Sequence, residues 1–302
     1  MQASDLERER ARLMRLAAFA SVSVAVVLIA WKLWAWYASG SIAVLSSLAD
    51  STLDLVASLI TLVAVRVALT PADREHRFGH GKSEGVAGLV QALIVTASAL
   101  FVAVEAVGRL LRPEPPAAPA AALTSIAASL LLTLGLFAFQ RRVIARTGSL
   151  AISADSMHYR ADILTNAAIL VGLFVAYRFS WYVIDPLLGL LVVGVILWSV
   201  RTIVVDALAV LLDRELPAAS RREIERIAHA HPAVLGVHDI RTRSSGSTEF
   251  IQMHLELDPA LTLLEAHAIS EEIEAGVQEV FPGAEVLIHV DPHGVSEPRD
   301  PF

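Results

Sequence analysis

The chain contains no cysteine, which excludes disulfide frameworks, thiolate zinc fingers, iron–sulfur clusters and thiol nucleophiles. Any metal it binds must be held by His, Asp and Glu. Charge is also scarce: 18% of the 302 residues are Asp, Glu, Lys or Arg, against 55% hydrophobic. With a mean hydropathy of +0.59, this is not the composition of an ordinary soluble protein. No HExxH occurs, so the helical zinc-protease signature is absent. A basic face is missing too. Residues 213–302 hold 7 Lys/Arg against 17 Asp/Glu, a net −10, whereas residues 1–212 hold 17 against 14, a net +3. Such an acidic surface repels phosphate, which argues against nucleic acid and for cations as partners.

What the sequence does have is long apolar runs, at 14–38, 42–69, 86–111, 120–139, 151–179 and 186–211. About 20 apolar residues cross the hydrocarbon core of a bilayer, and each run approximately meets that length. The second run follows the first almost at once, so the first reads as a retained span and not as a cleaved signal. Basic residues gather before the first run (Arg8, Arg10, Arg12, Arg15), after the second (Arg74, Arg77, Lys82) and after the fourth (Arg141, Arg142, Arg146). The opposite loops carry few, which places both termini in the cytoplasm and the Pro-rich stretch 113–119 outside as a short turn. The expected organisation is a tail at 1–13, a six-span membrane domain at 14–212, a cytoplasmic metal-binding domain at 213–292 and a tail at 293–302.

Ionisable residues at membrane depth carry the functional signal, because each costs about 2.5–3.5 kcal/mol even on an insertion scale. In ADSTLD, Asp50 and Asp54 stand at i and i+4, on one face of the second span. In HYRAD, His158 and Asp162 repeat that spacing in the fifth. Facing each other, the two pairs would offer one imidazole and three carboxylates, a tetrahedral set for Zn²⁺ or a similar divalent ion. Hydrogen bonding between helices is the structural alternative. Lys32 in the first span is the only possible counter-charge to these acids, and otherwise reads as a snorkelling lysine. Asp155 and Asp206, nearer the cytoplasmic ends, read as solvated or as supports for the ligands. In the loop after the second span, Asp73, His76 and His80 could form an exposed three-ligand site with an open position, or an ordinary solvated loop.

From residue 216 the periodicity becomes that of a soluble domain: a helix at 217–230 with Ile224 and Ile227 inward, strands at 234–242 and 249–257, a helix at 263–280 and a strand at 285–290. The order αββαβ is that of a small ferredoxin-like α+β sandwich. Seven of the ten histidines fall here. Strand alternation puts His254 with Gln252 and Glu256 on the polar face, and His289 with Asp291 on one face. His229 and His231 read as solvated.

The two helical pairs, the loop PADREHRFGHGKSE and the segment LLDRELP together resemble the cation diffusion facilitator family, in particular its bacterial zinc/iron efflux antiporters. The resemblance spans roughly residues 10–292. It implies a homodimer in the bacterial inner membrane that exchanges cytoplasmic Zn²⁺, Fe²⁺ or Cd²⁺ for protons by alternating access. Carried over residue by residue, Asp50, Asp54, His158 and Asp162 match its transport site, and Asp73, His76 and His80 a second metal site. His238, His254, His267, His289 and Asp291 match a regulatory binuclear site, and Lys82 with Asp213 a charged interlock of the dimer. His293, after the Asp-Pro pair, departs from a pattern in which relatives can carry cysteine, and either adds a ligand or is incidental. The rival readings are a membrane metal sensor without transport and an intramembrane aspartyl protease.

Overall fold

The computed structural model describes residues 3–39, 42–111, 120–179, 181, 183–246 and 248–295. The expected turn at 113–119 lies outside them. The chain forms two compact units, one of Glu9–Pro71 and Ser83–Leu208, the other of Met1–Arg8, Ala72–Lys82 and Ala209–Phe302.

Six helices build the first unit: α1 (Ala3–Ser39), α2 (Ile42–Ala68), α3 (Ser83–Leu111), α4 (Ala120–Thr147), α5 (Leu150–Phe179) and α6 (Ile184–Leu211). Among the described residues, five are long and apolar enough to span a bilayer; α5 is not among them, and its first half carries Asp155, His158, Arg160 and Asp162. Helices outrun two of the expected spans. Thus α1 begins at Ala3, and α4 continues through Arg141, Arg142 and Arg146 to Thr147. Gly148, at φ 66°, takes the left-handed conformation that ends α4, and Ser149 opens the next helix. Glu84 of α3 completes that start, accepting from Ser149 Oγ at 2.7 Å and the Ala151 amide at 3.1 Å. A buried carboxylate on the exposed amides of a helix N-terminus satisfies their hydrogen bonds and complements the dipole.

Small residues let these helices approach closely, as in many membrane bundles. Ala17, Ala18, Ala64, Ala87 and Ala151 pack with Met14, Val65 and Ile152 in one cluster, and Ala92, Ala99 and Ala154 pack with Val95, Ile196 and Ile203 in another. Large apolar side chains point outward instead, Leu93 at 70%, Phe101 at 73% and Trp198 at 75% exposure. Polar groups lie inside, among them Ser21, Ser58, Thr61, Gln91, Gln140 and Asp155. This arrangement, polar within and apolar without, suits lipid as the surroundings.

The second unit folds as α7 (Ala218–Ala230), β1 (Gly236–Ser245), β2 (Thr248–Leu257), α8 (Leu263–Val280) and β3 (Glu285–Pro292). Strand order is β1-β2-β3, with β1–β2 antiparallel and β2–β3 parallel. The expected αββαβ order and all five elements are present, β1 displaced toward the C-terminus by two to three residues. Ile224 and Ala228 of α7 and Ile273 and Val277 of α8 cover Ile251, Met253 and Leu255 of β2, leaving the other sheet face uncovered by them. Thr262 and Glu265 form a capping box that starts α8.

The segment 72–82 packs within this unit. Phe78 meets Phe250 edge to face at 5.7 Å, and the Arg243 guanidinium lies 4.7 Å from both ring centres. Lys82 donates to Asp213 at 2.9 Å and Arg243 to the same carboxylate at 3.3 Å. Gly81 is required by close approach, since a Cβ there would lie 2.1 Å from the Ser245 carbonyl oxygen. Partial burial pushes the Asp213 carboxyl up, but the hydrogen bonds and charges of Lys82 and Arg243 outweigh it and hold the group below its ordinary 3.8.

Candidate metal centre

Asp54 and Asp162 each lie twelve residues in from the first residue of their helices, roughly 18 Å along the axis. The structure brings them together. His158 Nε2 is 2.8 Å from Asp54 Oδ1 and 3.8 Å from Asp162 Oδ2, and one ligand atom from each residue falls within 4.8 Å of the others. His158 is 3% exposed and Asp54 8%. The i, i+4 spacing on α5 puts His158 and Asp162 on one side of that helix, and α2 supplies the third group across the interface. Asp50, the fourth expected ligand, is exposed one turn before Asp54 and stands outside this trio.

One expectation about neighbouring groups is corrected and another is narrowed. Lys32 does not snorkel: it is 6% exposed, and Nζ donates to Ser51 Oγ at 2.6 Å and to the Ser47 carbonyl at 3.1 Å. Asp155 is not solvated. It is 0% exposed, accepting from Ser21 Oγ, from Gln140 Nε2 at 2.6 Å and from Thr61 Oγ1 at 3.4 Å. Gln91 extends the network through Thr61 Oγ1 at 2.9 Å, so that neutral donors on α1, α2 and α4, with α3 behind, enclose a carboxyl one turn from His158. Tyr159 lies edge-on to His158 at 5.7 Å, and its hydroxyl bonds to the Ser21 carbonyl and to Ser58 Oγ at 2.8 Å, joining α5 to α1 and α2. Asp206 is exposed.

The uncovered sheet face of the C-terminal unit carries a second cluster. Register aligns His238 with His254 and His254 with His289, a row of three imidazoles across three strands with ring centres 5.2 and 4.7 Å apart. Asp291 reaches all three: Oδ2 is 2.8 Å from His254 Nδ1 and 3.5 Å from His238 Nε2, and Oδ1 is 3.1 Å from His289 Nε2. Its Oδ1 is buried without a hydrogen bond, leaving an oxygen lone pair available to a cation. His267 is not part of this group; it is exposed on α8 and pairs with Glu271. In the segment 72–82, Asp73 lies 3.5 Å from His76 and 3.4 Å from His80, as the third such cluster. Backbone amides of His76 and Glu75 donate to Asp73 and, with the nearby histidines, hold its carboxyl below the ordinary value.

A family model described as the cation efflux transmembrane domain matches residues 18–212, and one described as the cation efflux protein cytoplasmic domain matches residues 216–293. The chain belongs to the cation efflux family. A protein described as cation-efflux pump FieF from Cronobacter sakazakii is 42% identical over 96% of this chain and 96% of its own length. Another of that description, from Klebsiella pneumoniae subsp. pneumoniae, is 42% identical over 94% of each. A solved structure described as the metal-bound C-terminal domain of the CzcD transporter from Thermotoga maritima is 29% identical, covering 26% of this chain and 93% of that one with a TM-score of 0.25.

Within this cation efflux chain, sequence reasoning missed three ligand-type groups of the C-terminal unit. Asp239 joins His238 and His254, placed there by a bulge after His238 and its own φ of 49°. Glu256 lies 3.5 Å from His238 and 2.8 Å from His293, so His293 has a carboxylate partner. Strand alternation had put Glu256 on the correct face, and only its register opposite Asp291 was hidden. His231, expected to be solvated, lies 3.2 Å from Glu272 and accepts from the Ala233 amide just past the end of α7.

Proposed function

We propose that this protein is a secondary transporter that moves divalent metal ions, Zn²⁺ and also Fe²⁺ or Cd²⁺, out of the cytoplasm in exchange for protons. The observation that carries the reading is the buried trio of Asp54, His158 and Asp162 midway along two helices of a cation efflux transmembrane domain. Two carboxylates and an imidazole drawn out of water form a costly arrangement unless a cation occupies it. Asp50, one turn away, supplies the fourth ligand. One nitrogen and three oxygens suit a borderline divalent ion. Metal and protons compete for the same atoms, because the ligands bind metal only when deprotonated; protonation from outside therefore releases the ion. Rocking of the helices about this point exposes it to either side in turn.

The C-terminal domain, residues 213–292, acts as a cytoplasmic metal-responsive dimer partner. His238, His254, His289 and Asp291 hold two ions bridged by the two oxygens of Asp291, with His267 contributing from a position that a second copy can reach. Exposed Leu263, Leu264 and Leu287, at 87%, 77% and 62%, support an unfilled partner surface on this domain. Asp73, His76 and His80 hold a further ion in the loop, and Lys82 with Asp213 forms the interlock. The setting is a bacterial inner membrane with both termini in the cytoplasm. Metal uptake into purified proteoliposomes under an imposed pH gradient, tested ion by ion, checks the reading. Gradient-driven uptake of Zn²⁺ is expected; metal binding without any flux would reduce the protein to a sensor and overturn it.

A further inference from the structure

We propose that Lys32 is the resident counter-charge of the membrane site, a specificity-determining residue whose ammonium weakens the hold of the carboxylates on the metal enough to permit release. The inference rests on the transport-site reading above. The chain has two lysines, Lys32 and Lys82, and among the described residues Lys32 is the only buried Lys or Arg. An ordinary lysine in a membrane helix runs its stem toward the headgroups. Here the stem stays inside, and the ammonium is anchored by Ser51 Oγ at 2.6 Å and the Ser47 carbonyl at 3.1 Å.

The anchoring residues reveal what the charge is for. Asp50 and Ser51 each stand three or four residues from both Ser47 and Asp54, so the four share one side of α2. Lys32 is thus delivered from α1 onto the stripe of α2 that bears both aspartates. Both anchoring oxygens are neutral. Neither anchor takes up a carboxylate oxygen, so the aspartates remain available as ligands.

A fixed single positive charge acts on the two competitors for these ligands unequally. It repels a divalent ion with twice the energy that it repels one proton at the same point. Its presence lowers metal affinity and speeds unloading; its removal should do the reverse. A residue with only a packing role would not produce that sign.

The test is metal flux by the full-length protein in proteoliposomes, with Zn²⁺ as the probe, reading the half-saturating concentration separately from the maximal rate. Three substitutions are compared: Lys32→Gln, which retains hydrogen bonding without charge, Lys32→Met, which retains the stem, and Lys32→Arg, which retains the charge. Measurement at pH 8 keeps proton competition small. Both neutral variants are expected to half-saturate at about tenfold or more lower Zn²⁺ and to show a reduced maximal rate, with Lys32→Arg within about threefold of wild type. Misfolding of the neutral variants while Lys32→Arg folds and transports would also support a requirement for charge.

The proposal is overturned if the neutral variants fold and half-saturate at unchanged or higher Zn²⁺. It is equally overturned if Lys32→Arg behaves like them, or if all three misfold, which would make Lys32 a packing residue. Asp54→Asn, measured in parallel, separates the two readings: wild-type flux in that variant would remove the transport site itself, whatever Lys32 does.

Discussion

The trio of α2 and α5 and the cluster on the C-terminal sheet use the same ligand types in opposite surroundings. In the first, Asp54 and His158 are almost fully buried, and one imidazole serves the site. In the second, three imidazoles stand in a row, the His254 side chain 33% and that of His289 62% exposed around a buried Asp291. Water can replace a lost ligand on an exposed sheet face. Between membrane helices nothing equivalent replaces it, so each group counts for more. The contrast also separates tasks: a buried, sparsely ligated site suits an ion that must be released, and an exposed, richly ligated one suits an ion that stays.

Substitutions can break or sharpen this contrast. The largest effect is expected from Asp54→Ala, which removes a ligand from the buried trio. Flux should fall by more than the roughly 10–100-fold that losing even a ligand's supporting partner costs. Calorimetry should still find the C-terminal ions bound, and their loss would deny that the sites are independent.

His158→Asp comes next. It leaves only oxygen ligands, and the preference for Zn²⁺ over Mn²⁺ should decline in competitive flux measured from pH 5.5 to 8. An unchanged preference would mean that the imidazole does not touch the ion.

In the C-terminal unit, Ile251→Ala, at a 0% exposed position on the helix-covered face of β2, should destabilise that domain by about 2–5 kcal/mol in denaturant unfolding. Flux at low temperature should be largely retained. A change under about 1 kcal/mol would mean that the helices do not seal the sheet as described.

The smallest effect concerns Lys82→Met. Asp213 is held below its ordinary value in the folded chain, so its contribution is present above that value and is lost as pH falls through the lower, folded one. With 40% of its side chain exposed, the ion pair is worth no more than about 1 kcal/mol. Lys82→Met should therefore lower stability slightly at pH 7 and by less in acid, as the carboxyl takes up its proton. An equal loss at both would assign the effect to packing.

What could be read from the sequence was whatever is local in the chain. Asp50 with Asp54 and His158 with Asp162 are one helical turn apart, so their shared faces follow from spacing alone. His254 was sorted to the polar sheet face by alternation. What could not be read depends on partners distant in sequence. The burial of Lys32 follows from Ser47 and Ser51 on another helix, and that of Asp155 from Ser21, Thr61 and Gln140 on three. Asp239 escaped for a different reason, since a bulge breaks the alternation by which strand faces are assigned.

The measurement that tests the central claim most directly compares Asp54→Ala with the double variant His254→Ala/His289→Ala in matched proteoliposomes under one pH gradient. Zn²⁺ flux is the readout. The expected result is no gradient-driven flux in the first and substantial flux in the second, with fewer ions bound to the C-terminal domain. Flux that survives without Asp54, or that vanishes with the two sheet histidines, would contradict the assignment of the buried trio as the point where the metal crosses.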